Sequence, residues 1–189
     1  MIFSRFLLVA LAAVGVVARS NSLEKYGMVK VHARSDLGVR HYSASVSPYK
    51  TAIAKLNEYQ EQTSDAMAGP VSEREAKLVS ITSGVLQTVQ TYNTDFKDKF
   101  SLMDISNIAK GGEMTNIGKA MYRILRSCKG TRSQQLTDNI HAINVEVDSM
   151  GDFMAQKLPQ ALSALVIPAF ARYSDKMDMI EYATKPSAY

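Results

Sequence analysis

Acid–base, metal-ligating or nucleophilic chemistry in this chain would have to draw on three histidines, His32, His41 and His141, and one cysteine, Cys128. Nucleophilic catalysis needs a hydroxyl or thiol held against a base, and no Gly-x-Ser-x-Gly turn occurs to present one. There is no His-Glu-x-x-His pair, no second cysteine and no EF-hand loop, so the usual metal cages are not expected. Gly111-Gly112 lacks the following lysine and preceding strand of a phosphate-binding loop. Asp95 and Asp98 alternate with Lys97 and Lys99, the pattern of a solvated helical face. His141 falls one residue beyond an apolar seam, a rim position. Cys128 continues an apolar stripe, where a thiol acts as a small hydrophobe; the alternative is an intermolecular bridge. The expectation is a protein with no catalytic machinery, no metal and no cofactor.

The unusual composition lies elsewhere. Tryptophan is absent and methionine is frequent, with Met103, Met114, Met121, Met150, Met154, Met177 and Met179 all in the later part of the chain. Methionine is flexible and fills irregular space, which suits either an ordinary core or one that admits an apolar guest.

Amphipathic helices must position these residues. Ser47 and Pro48 suit the start of a first helix with Ile53, Leu56, Tyr59 and Thr63 on one face, stopped by Gly69-Pro70. Ser72 and Glu75 have the spacing of a capping box for a second helix. Its stripe, Leu78, Ile81, Val85, Val89, Tyr92, Phe96 and Phe100, repeats every three or four residues. Ser101 with Asp104 suits the start of a third, whose stripe Ile105, Ile108, Ile117, Met121, Ile124 and Cys128 is interrupted at the double glycine and ends at Gly130. Thr131 with Gln134 is read as the cap of a fourth, carrying Leu136, Ile140, Ile143, Val147, Met150 and Met154 in four-three spacing. A fifth begins at Pro159 and faces Leu162, Leu165, Phe170, Tyr173, Met177 and Ile180 inward, with Pro168 expected to bend it. Five such helices can bury their stripes only on one another. The predicted fold is all-α, an up-and-down bundle of five amphipathic helices.

Ahead of that bundle, Arg5 and the apolar run Phe6 to Val17 read as a secretory leader, with small residues at Val16 and Ala18 placing cleavage after Ala18. The predicted organisation is a signal peptide over 1–18, an extended or disordered lead-in over 19–46 and the bundle over 47–184. About 170 residues remain, enough to bury roughly two-thirds of the unfolded surface without staples. The tail Lys185 to Tyr189 holds no apolar attachment segment, so neither a membrane span nor a lipid anchor is expected. Basic residues number 22 against 18 acidic, and they are interspersed, which argues against nucleic acid as a partner.

The segment from Tyr49 to Tyr182 resembles the fungal hydrophobic surface-binding protein A family, which also contains antigenic cell-wall galactomannoproteins. The resemblance is carried by LVSITSGVLQTVQTYNTDF (Leu78 to Phe96), FSLMDISNI (Phe100 to Ile108) and FMAQKLPQALSALVIPAFARYSDKMDMIEYA (Phe153 to Ala183). Lys157, Pro159 and Tyr182 fall where that family's Lys-x-Pro element and closing tyrosine would lie. The resemblance implies a secreted, cell-wall-associated bundle that adsorbs to hydrophobic surfaces and, in some relatives, holds a long-chain fatty acid between its helices.

Two readings follow. The first is a secreted, non-catalytic binder of hydrophobic surfaces, lipid or fatty acid. Its ligand contacts would come from Leu86, Val89, Tyr92 and Phe96 of the second helix, Met121 of the third, Met150 and Met154 of the fourth, and Leu165 and Phe170 of the fifth. Tyr92, Tyr122 or Arg123 would meet a carboxylate. The second reading is a secreted effector that acts on a host or cell-surface protein, with the bundle as scaffold.

Overall fold

The computed structural model describes residues 48–101 and 113–186, except for the side chain of Leu165. The leader, the lead-in, Ser47, the Asp104 cap, Ile105, Ile108 and the double glycine lie outside the described residues. Among the described residues five helices follow one another: α1 Pro48–Ala68, α2 Val71–Lys99, α3 Glu113–Ser127, α4 Gln134–Lys157 and α5 Gln160–Thr184. They run up and down, and there is no strand among the described residues.

Helix starts differ from the capping pattern in the sequence. The Ser72–Glu75 box does not form, because α2 has already begun at Val71. Pro70, fixed in an extended conformation, occupies the cap position and its carbonyl accepts the Glu73 amide at 3.2 Å. Thr131 does not cap α4 either. Its amide is spent on the Cys128 carbonyl in the turn after α3, and the extended Ser133 is the cap residue, without a side-chain bond. The choice is tertiary: the Ser133 amide donates to the Thr184 carbonyl at the end of α5, 2.9 Å away, and its own carbonyl accepts from Thr137. Pro159 sits one place earlier than a first helical residue, as the cap of α5. Gly130 adopts φ of 91°, which a side chain would resist, and so lets the chain reverse after α3.

The helices close into a ring. α2 packs on α1 and α4, α4 on α5, and α1 on α3, while α3 meets α5 and α2 only sparsely. From the end where α2 and α4 begin and α1, α3 and α5 finish down to the middle of the bundle, Leu56, Leu78, Val85, Ile124, Leu125, Leu136, Ile140, Met177 and Ile180 are completely buried. Each such side chain contributes about 1.5–3 kcal/mol by leaving water. Buried polar groups there are paired: Thr137 and Thr184 share a hydrogen bond at 3.2 Å, and Asn139 Nδ2 donates to Thr82 Oγ1 and the Val79 carbonyl. Cys128 seals this end, fully buried, and burial raises its thiol pKa to about 12. His141 is exposed and lies 3.1 Å from Glu181. α5 runs through Pro168 without a break. Among the described residues, no helix is long and apolar enough to cross a membrane.

A candidate ligand cavity between four helices

Packing changes towards the other end. Because α3 rests on α1 and barely touches α5, a gap opens where the inward faces of α2, α3, α4 and α5 should converge. The gap is a cavity of about 360 Å³, partly open to solvent.

Val89 and Tyr92 of α2 form one wall, and Val147 and Met150 of α4 continue it. Met114, Ile117 and Met121 of α3 face them at one-turn intervals. α5 closes the circuit with Phe170 and Tyr173, whose placement depends on two glycines. Gly151 lets α5 approach α4 so closely that a Cβ there would stand 3.2 Å from the Phe170 Cβ. Gly118 exposes its carbonyl to Tyr173, whose hydroxyl donates to it at 2.7 Å and bridges the loose α3–α5 seam. Burial and the neighbouring Tyr122 raise the pKa of that hydroxyl, so it remains a neutral donor. Asn93 contributes little free polarity, since its amide nitrogen is held by the Glu146 carbonyl and carboxylate at 3.0 and 3.1 Å.

Beyond the cavity an aromatic ladder fills the end of the bundle. Tyr92 and Phe96 on one face of α2 and Phe100 just past its end follow one another with ring centroids 5.9 and 5.6 Å apart. Phe153 of α4 meets Phe100 edge-on at 5.4 Å. Met150, Met154 and Leu158 are buried behind it.

The residues proposed from the sequence divide accordingly. Val89, Tyr92, Met121, Met150 and Phe170 line the cavity together. Phe96 and Met154 belong to the cluster beyond it, and Leu86 packs half-buried against the main core. The side chain of Leu165 lies outside the described residues. Of the proposed carboxylate anchors, Tyr92 and Tyr122 line the cavity, whereas Arg123 is exposed and does not. Sequence reasoning missed Lys119 and Lys176, both lining residues. Each is a polar residue flanking an apolar stripe, as many others are, and nothing local marks these two. Tyr182, the expected closing tyrosine, is exposed.

The chemistry available is that of an apolar container. Among the described residues no group of three His, Cys, Asp or Glu side chains could hold a metal. No protein-family model, curated protein or solved structure significantly matches the chain.

Proposed function

We propose that this protein is a secreted, non-catalytic carrier of long-chain lipid, with a fatty acid or similar chain occupying the cavity between α2, α3, α4 and α5. The observation that carries this reading is the 360 Å³ void walled by methionine, aliphatic and aromatic side chains. It falls in the size range of small-molecule sites, about 300–1,000 Å³, which are mostly apolar with few polar groups. Apolar walls of this kind hold water weakly and favour apolar guests. Each methylene buried there gains about 0.8 kcal/mol, so a long chain binds usefully even with a modest head-group contact. The flexible Met114, Met121 and Met150 can repack around chains of different length. Location at the cell surface or wall, and adsorption to hydrophobic surfaces, are part of the same reading, supported by the apolar leader and by the resemblance of the α2 and α5 segments to the fungal surface-binding family.

Native mass spectrometry of the protein purified from cells, together with displacement of a fluorescent fatty acid, tests it. Co-purifying lipid and micromolar displacement are expected. A dry protein that releases no probe would overturn the proposal and favour the effector reading.

A further inference from the structure

We infer that the cavity selects amphiphiles with an anionic head group, which Lys119 and Lys176 hold at its mouth. The inference rests on the lipid-carrier reading and adds to it a sign of charge. Among the described residues, the only charged ones lining the cavity are these two lysines, and no carboxylate is among them. Both are exposed, and neither forms an ion pair with a described residue. Their place in the fold suits the role. Lys119 follows Gly118 on α3, and Lys176 lies one turn beyond Tyr173 on α5, so the Tyr173–Gly118 hydrogen bond sets them on opposite sides of the same seam. Lysine can lay its methylene stem along an apolar wall while its ammonium reaches water. The stems therefore extend the cavity lining, and the charges mark its rim.

The neighbouring described acids lie outside the lining. Asp178 accepts a 2.7 Å bond from Asn144 on the α4 side, and Asp175 and Glu113 are exposed and outside the lining. The Lys176 ammonium lies 5.6 Å from the Tyr122 ring centre, which holds it over the α3 side of the opening. A chain inserted tail-first between Met121 and Met150 leaves its head beside two ammonium groups and a tyrosine. A carboxylate is stabilised there, a hydroxyl much less, and a quaternary ammonium is repelled.

The test compares hexadecanoate, hexadecanol and hexadecyltrimethylammonium on the full chain by displacement of a neutral fluorescent lipid. Hexadecanoate should bind about tenfold more tightly than the alcohol at low salt, as two partly exposed charge contacts allow, and the cationic lipid should bind most weakly. The acid-to-alcohol ratio should shrink at about 0.5 M salt, where screening is short-ranged. It should fall to within twofold in the double variant Lys119→Met/Lys176→Met, which keeps the apolar stems. Equal binding of acid and alcohol to the native protein, or a ratio that survives the double substitution, overturns the head-group inference and leaves the carrier reading standing. Failure of all three lipids to bind overturns the carrier reading itself.

Discussion

The two ends of this bundle are built from the same five helices and solve the packing problem in opposite ways. At the closed end, aliphatic side chains of similar size from all five helices meet with no solvent access, and Thr137, Thr184, Ser133 and Asn139 tie the helices together through satisfied polar bonds. At the cavity end, methionines and aromatics join Val89, Ile117 and Val147 around the gap, and a tyrosine hydroxyl spans the seam between α3 and α5. Rigid, well-shaped residues specify one packing, whereas flexible ones tolerate several. The contrast matches the proposed carrier role, in which one end would supply stability and the other would accommodate a guest.

Truncation should separate the ends most sharply. Leu78→Ala removes a fully buried side chain at the closed end and should cost about 3–5 kcal/mol in denaturant unfolding, because the tightly packed surroundings cannot collapse onto the void. Met150→Ala borders an existing cavity and should cost closer to about 2 kcal/mol. Equal losses would break the distinction.

The close contact of α1 with α2 offers a second probe. A Cβ at Gly84 would lie 2.5 Å from the Tyr59 ring, too close for any real contact. Gly84→Ala should therefore push the half-buried Tyr59 ring off α2, and the lost packing should outweigh alanine's better helix propensity by no more than about 1 kcal/mol. Adding the same change to a Tyr59→Ala background should cost nothing further, a double-mutant cycle that isolates the clash. An additive result would place the cost elsewhere than in this contact.

Filling the cavity tests the other end. Val89→Phe places a ring where the proposed chain would lie, and fatty-acid affinity should fall at least tenfold, equivalent to about 1.4 kcal/mol. Unfolding free energy should change by less than about 1.5 kcal/mol, since the new volume enters empty space. Unchanged lipid affinity would remove the cavity as the site.

The smallest effect concerns Cys128. Its folded-state pKa of about 12 lies above the value of roughly 8.5 for an unfolded thiol, so the unfolded state loses the proton first as pH rises. Its contribution is fully present below about pH 8.5 and is lost progressively between there and about pH 12, approaching 1.4 kcal/mol per unit within that window. Comparing native protein with Cys128→Ala at pH 8 and 9.5 isolates the slope. An identical pH dependence would mean that the closed end admits solvent.

Much of this fold can be read directly from residue spacing. The stripe from Leu78 to Tyr92 is buried in α2, and that from Leu136 to Met154 is buried in α4, because a three-four repeat can hide its apolar side only in a helix packed on another. Helix starts were less legible. Ser72 and Thr131 have side chains suited to capping, yet a fixed proline and a bond to the distant Thr184 decided where α2 and α4 begin. The cavity was legible only as a list of candidate wall residues. Val89 and Leu86 look alike in a helical repeat, and which of them faces a void depends on how α3 leans.

The amino-acid order by itself determined that five amphipathic helices form, that Gly69-Pro70 ends α1, and that methionine concentrates in the later helices, because propensity, periodicity and turn chemistry act over a few residues. Only the tertiary structure decided that α3 favours α1 over α5, that Gly118 and Tyr173 bridge the resulting gap, and that Lys119 and Lys176 flank it. A void is a property of how several surfaces fail to meet, and no single segment carries that information.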